Sequence, residues 1–158
     1  MSFGRILCAG AAAALLAGSA AAADVSREVD VDVSPAKAWA AIGDFCGIGT
    51  WHPAVEKCEL SRRGSESLRT LKLKGGGTIV EKLVAWNGKK RSYTYAIVDS
   101  PLPVRNYVST LSVVGHGKGS KLRWTGKFEP VGDEAKAKET IGGIYDAGLA
   151  GIAKQAGQ

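Results

Sequence analysis

Six short segments of alternating or β-rich character, each closed by a turn signal, fill residues 55–129 and leave this chain few folds to choose from. They read as strands over Val55–Arg62, Leu68–Lys74, Thr78–Trp86, Arg91–Val98, Asn106–Val114 and Lys121–Glu129. Gly75, Gly76 and Gly77 turn the chain between the second and third. Asn87 and Gly88 are a hairpin signal, because both tolerate the left-handed backbone of a tight turn. Pro101 and Pro103 break the pattern after the fourth. The Gly115–Gly119 stretch reads as a flexible hairpin tip. Hairpin connections of this length imply antiparallel pairing.

Helices flank this run. Val25, Val29, Val31 and Val33 alternate with Glu28, Asp30 and Asp32, which is the pattern of a half-buried strand. Ser34 and Pro35 then read as N-cap and first helical residue. That helix carries Trp39 and stops near Gly43, and a second short helix or turn covers Cys46–Trp51. At the other end, Asp133 caps a long helix. Ala137, Ile141, Ile144, Tyr145, Gly148, Leu149 and Ile152 form its apolar stripe. Gly142, Gly143, Gly148 and Gly151 lie inside it, each costing about 1 kcal/mol relative to Ala. Gly148 sits on the stripe itself, and either close helix–sheet approach or open space over the sheet explains it. The order β, αα, six β, α specifies an α+β domain. Its seven-stranded curved antiparallel sheet wraps around the C-terminal helix.

The N-terminus reads as a secretory leader. Arg5 supplies a positive charge, Ile6–Leu16 an apolar stretch, and Ala21–Ala23 a small-residue cleavage site. Cleavage after Ala23 leaves residues 24–158 as a single domain and no stable membrane anchor. The Ala- and Gly-rich leader is weakly apolar for a spanning helix. Cys8 lacks a lipobox, and Arg5 has no twin. The compartment expected is a bacterial periplasm.

Loss of Arg5, the leader's one charged residue, takes the formal net charge from +6 to +5. The basic residues are scattered at strand ends, without the clustered basic face and interleaved aromatics of a nucleic-acid binder. They give a mild bias toward acidic protein partners. Cys46 precedes a turn and Cys58 lies inside the next strand, so two buried free thiols are favoured over a disulfide, which an oxidising compartment nonetheless permits. Cys46, His52, Cys58 and His116 match no zinc spacing. There is no P-loop and no Gly-x-Ser-x-Gly elbow. No metal or cofactor is expected.

Several blocks carry a family resemblance. They are Phe45 with Trp51-His52-Pro53-Ala54-Val55 and Cys58, then Gly77–Leu83, Tyr93–Tyr95, Pro101–Tyr107 and Trp124–Phe128. In this order the chain resembles the SRPBCC superfamily of START and birch-pollen-allergen-like proteins. It is most similar to the bacterial polyketide cyclase/dehydrase and lipid-transport branch. The resemblance covers essentially all of residues 24–158. It implies a helix-grip fold with a hydrophobic cavity between sheet and long helix, and a small apolar or amphipathic ligand there. A methanol-oxidation-linked accessory protein belongs to the same broad group.

Faces follow from alternation. Tyr93, Tyr95 and Ile97 share one side of their strand; Tyr107, Ser109, Leu111 and Val113 share one side of theirs; Leu122, Trp124, Gly126 and Phe128 share a third. Parity over Thr78–Trp86 is ambiguous. Ile79, Glu81, Leu83 and Ala85 oppose Val80, Lys82, Val84 and Trp86, and the resemblance favours Glu81 inward. An inward Glu81 is the sharpest feature: a ligand anchor, a partner for Tyr95 or an Arg, or a weak candidate acid/base. His52, which could titrate in a pocket, is expected instead to brace the turn by donating to a backbone carbonyl within it. Trp51 is expected at the cavity rim and Trp124 in the core. The candidate ligand-binding set is Trp51, His52, Leu71, Ile79, Glu81, Tyr93, Tyr95, Leu111, Trp124, Phe128, Ile141, Tyr145 and Gly148. Three functions follow. The first is an exported carrier of a small hydrophobic molecule. The second is an accessory protein docking on a periplasmic dehydrogenase or cytochrome. The third is a cyclase or dehydratase using Glu81.

Overall fold

The computed structural model describes residues 22–157. The leader expected over residues 1–23 therefore lies, up to residue 21, outside the described residues. Ala23, its last residue, is already buried in the first strand opposite Phe128. The elements are β1 (Ala23–Val31), α1 (Pro35–Ile42), α2 (Ile48–Trp51), β2 (Val55–Arg63), β3 (Glu66–Leu73), β4 (Thr78–Asn87), β5 (Ser92–Asp99), β6 (Val104–His116), β7 (Gly119–Pro130) and α3 (Glu134–Ala156). This is the order expected from the sequence.

The sheet runs β1-β7-β6-β5-β4-β3-β2, antiparallel throughout. Residues 55–130 form a continuous meander, and β1 closes onto its last strand. Register shifts in β2, β4 and β6 bend the sheet, since each bulge tightens the local twist. Asn106 sits in the β6 bulge at φ 50° and donates through Nδ2 to Glu129. The concave face receives α3, with α1 and α2 beside it.

Local chemistry explains the helix ends. The Ser34 hydroxyl accepts from Lys37 N–H, and the Asp133 carboxylate accepts from Lys136 N–H. Gly157, at φ 99°, closes α3 in the left-handed conformation. Leu111, Leu122, Phe128, Ile141, Leu149 and Ile152 are fully buried between α3 and the sheet. Each contributes about 1.5–3 kcal/mol on leaving water.

The glycines of α3 mark close approach. A Cβ on Gly148 would stand 2.5 Å from Trp124 and 2.9 Å from His52, so those rings occupy the room a side chain would need. A Cβ on Gly151 would meet the Trp51 carbonyl, and one on Gly142 would meet Arg27. Space over the sheet is thus filled at Gly148.

Four local expectations are corrected. Cys46 and Cys58 form a disulfide, with Cα atoms 5.6 Å apart. The α2 turn folds back across β2 closely enough that a Cβ on Gly49 would lie 3.3 Å from the Cys58 Cβ. The Asn87-Gly88 hairpin forms, but its four-residue loop falls at residues 88–91, one later than the expected 87–90. Asn87 Oδ1 accepts from Lys90 N–H, and the positive φ falls on Arg91. The expected tip at Gly115–Gly119 is mostly strand: His116 pairs with Gly119, and only Gly117 and Lys118 make the turn. Finally, the β4 bulge between Leu83 and Ala85 flips the parity of Trp86. It lies opposite Tyr93 and stacks on it at 5.2 Å, with Trp39 at 5.1 Å.

Candidate functional site

A partly enclosed cavity of about 150 Å³ lies between the sheet and α3. The α2 turn contributes Ile48, His52, Ala54 and Val55. β3 and β4 contribute Leu71, Leu73, Ile79 and Glu81. The far wall is Tyr95, Ile97, Leu102, Tyr107 and Trp124, and α3 adds Ile141 and Ile144. A cavity of this size, lined by apolar side chains, accommodates a molecule on the scale of benzene.

Of the ligand-binding set, His52, Leu71, Ile79, Glu81, Tyr95, Trp124 and Ile141 line this cavity. Trp51, Tyr93, Leu111, Phe128, Tyr145 and Gly148 do not, and pack instead in the surrounding core. The rim position expected of Trp51 is therefore corrected, whereas Trp124 is in the core as expected and also borders the cavity. Trp51 is 4% exposed and donates its indole N–H to the Ile42 carbonyl at 3.0 Å. Trp124 is fully buried yet forms cavity wall. The reason is α2: it turns the Trp51 ring inward under α3, against Trp124 at 5.9 Å.

Glu81 points inward and is 5% exposed. Its partner is Arg69 on β3, directly opposite in register and 0% exposed. Arg69 Nε donates to Glu81 Oε2 at 2.5 Å, and Nη1 donates to the Phe45 carbonyl at 2.6 Å. The guanidinium lies 4.2 Å from the centre of the Phe45 ring and 4.8 Å from that of Tyr95. Burial pushes the Glu81 carboxyl above the usual carboxylate range, and Arg69 offsets only part of that rise. Burial also works against the Arg69 charge, but Glu81, Tyr93 and Tyr95 outweigh it and the guanidinium stays ionised. Arg69 was not singled out from the sequence. Its signal was parity: it is two residues before Leu71 and four before Leu73 on the inward face.

Two donors here are unmet. Arg69 Nη2 and Tyr93 Oη are buried with no partner in hydrogen-bond geometry among the described residues, although the guanidinium is near enough to Tyr93 to offset part of the rise that burial gives its phenol pKa. An unmade buried hydrogen bond costs about 1–3 kcal/mol, so such groups are uncommon away from sites.

Next to this ion pair is a closed hydroxyl chain. Ser109 Oγ donates to the Thr125 carbonyl at 2.7 Å, which uses its only proton. Tyr145 must then donate to Ser109 at 2.9 Å, Tyr107 to Tyr145 at 2.6 Å, and Tyr95 to Tyr107 at 3.3 Å. Trp124 Nε1 donates to both Ser109 and Tyr95. Gly126 makes this possible, since a Cβ there would lie 2.1 Å from the Tyr145 oxygen. Burial raises the Tyr145 pKa to about 12 and lifts those of Tyr95 and Tyr107 well above the usual phenol value, so the phenols stay neutral.

His52 is also neutral, its pKa lowered by burial despite its bond to Ile144. Ala54 N–H donates to Nδ1 at 3.2 Å, so Nε2 carries the proton and donates to the Ile144 carbonyl at 3.1 Å. The ring therefore has the structural role expected of it, but the carbonyl it reaches is on α3 and not in the turn, so it ties the α2 turn to α3.

A second, open space of about 430 Å³ lies beyond Arg69. Phe45, Leu60, Leu68, Leu83 and Trp86 line it, with exposed Asp44 and Arg62. No group of His, Cys, Asp and Glu that could hold a metal occurs among the described residues, and no described helix is long and apolar enough to cross a membrane.

Solved structures resemble this one closely. The protein XoxI from Bacillus cereus is 34% identical, with 84% of this chain and 94% of that one covered and a TM-score of 0.77. A Thermobifida fusca protein is 30% identical over 85% and 93% of the chains, with a TM-score of 0.72. The Zhui aromatase/cyclase from Streptomyces sp. R1128 is 16% identical over 86% and 94%, with a TM-score of 0.69, which shows the shared fold alone. No curated protein matches the sequence. Residues 22–157 match the family described as polyketide cyclase / dehydrase and lipid transport, and the chain therefore belongs to that family of the SRPBCC superfamily, with its helix-grip, hydrophobic-ligand-binding type of fold.

Proposed function

We propose that this is an exported protein that binds a small hydrophobic or amphipathic molecule between the sheet and α3. The observation that carries the reading is the partly enclosed cavity of about 150 Å³, apolar on most sides and bordered by Glu81, Tyr95 and Tyr107. An apolar enclosure with a few fixed polar groups is the usual form of a small-molecule site. Its size favours a ligand of about one ring over a long-chain lipid. Glu81 is committed to Arg69, which favours anchoring over proton transfer. Export rests on the leader-like composition of residues 1–23, and N-terminal sequencing of the protein from a periplasmic fraction tests it.

Binding is tested by titrating toluene or indole and following chemical shifts of the cavity methyls. Saturable shifts confined to Leu71, Ile79, Ile97, Ile141 and Ile144 are expected. Ile141→Phe should fill the space and abolish them while the far-ultraviolet circular dichroism is retained. Shifts that persist in Ile141→Phe would place any binding elsewhere and defeat the reading.

A further inference from the structure

The inner cavity and the outer groove lie on one face of the sheet, in line. Along β3 the inward positions run Ser67, Arg69, Leu71; along β4 they run Leu83, Glu81, Ile79. Ser67 and Leu83 line the groove, and Leu71, Ile79 and Glu81 line the cavity. Arg69 and Glu81 are therefore the floor between the two spaces. Phe45 covers that floor, its ring centre 4.2 Å from the guanidinium and its plane nearly perpendicular to the Tyr93 ring.

We propose that groove and cavity are two halves of one elongated ligand site, divided by the Phe45 ring, with Arg69 Nη2 and Tyr93 Oη as the hydrogen-bonding anchor at the division. This rests on the ligand-binding reading and deepens it. The backbone at the division is fixed, because Arg69 Nη1 holds the Phe45 carbonyl and the Cys46–Cys58 disulfide holds the next residue. Rotation of the Phe45 side chain is what joins the halves. It uncovers two donors that have no partner otherwise.

Charge selects the occupant. Arg69 and Glu81 already balance, so a carboxylate would bring an uncompensated charge into a buried site. A neutral acceptor satisfies both donors without that cost. Phe45, Trp86 and Leu83 supply flat apolar walls on the groove side. The ligand class is thus a neutral apolar molecule with a carbonyl oxygen, longer than the inner cavity alone can hold.

The test uses the neutral naphthyl ketone Prodan and its carbonyl-free analogue 2-dimethylaminonaphthalene, titrated by fluorescence into the intact protein. Phe45→Ala, which removes the divider, should bind Prodan at least about tenfold more tightly than the parent protein. Phe45→Leu, a milder change should the first variant fold poorly, should move affinity the same way. Adding Tyr93→Phe should weaken Prodan about fivefold and leave the analogue unchanged, the signature of one lost hydrogen bond. Equal weakening of both probes, or of neither, overturns the anchor. Toluene separates this from the underlying reading. Toluene bound by a Phe45→Ala protein that ignores Prodan overturns the joined site and leaves the inner cavity standing. Rejection of both overturns both.

Discussion

Two buried polar clusters sit side by side on the inner face of the sheet and are built in opposite ways. The Tyr95–Tyr107–Tyr145–Ser109 chain is neutral, and each proton has a destination, ending on the Thr125 carbonyl. The Arg69–Glu81 pair is charged, and it leaves Arg69 Nη2 and the nearby Tyr93 hydroxyl unmet. Both share the same burial, so desolvation alone does not distinguish them. What does is completeness. A satisfied network gives the core one arrangement, whereas a cluster with spare donors is suited to taking in an acceptor.

The largest expected effect breaks the charged cluster from one side. Arg69→Met strands Glu81 and should cost about 3–5 kcal/mol, read from urea unfolding at pH 7. The double change Arg69→Met with Glu81→Leu should recover most of it, because apolar replacement of a buried pair is close to neutral. Failure of the double variant to recover would mean the pair contributes more than charge compensation.

Removing the tie beside that cluster comes next. Cys46→Ser with Cys58→Ser should lower stability by about 3 kcal/mol, since the bridge closes a loop of sequence separation 12. A reductant should reproduce the loss in the parent and add nothing in the variant.

A matched pair of hydroxyl deletions sharpens the contrast most directly. Tyr145→Phe removes the donor to Ser109 and the acceptor for Tyr107, and should cost about 1–3 kcal/mol in a thermal melt. Tyr93→Phe removes an unpartnered hydroxyl and should leave the melt unchanged or raise it slightly. Equal losses would erase the distinction between the clusters.

The smallest effect belongs to His52. Its folded pKa lies below the unfolded value of about 6.5, so on acidification the unfolded chain takes up a proton before the folded one. Stability should therefore decline as pH falls from about 6.5 through the lowered folded pKa. The slope cannot exceed about 1.4 kcal/mol per pH unit. His52→Gln, which keeps a donor toward Ile144, should flatten this part of the profile in urea titrations between pH 7 and 5.

Much of this was legible in the chain. Alternation placed Tyr93, Tyr95, Tyr107, Ser109, Leu111, Trp124 and Phe128 inward, because a strand face needs only its own periodicity. Trp86 was misplaced because a bulge adds one residue and reverses parity beyond it. Arg69 was passed over because a charged residue reads as solvent-facing until a partner across the strand is known. The disulfide was disfavoured because the sequence does not show how far back the Gly47–Trp51 turn folds.

The sequence by itself determined the seven strands, the long capped helix and their order, since these rest on local periodicity, caps and turn residues. Only the tertiary structure decided which residues meet. Whether Glu81 faces an ion partner, whether Gly148 borders open space or a tryptophan, and whether the interior is one cavity or two depend on cross-strand register and on how closely α3 approaches. Those are contacts between segments far apart in the chain, and no local pattern encodes them.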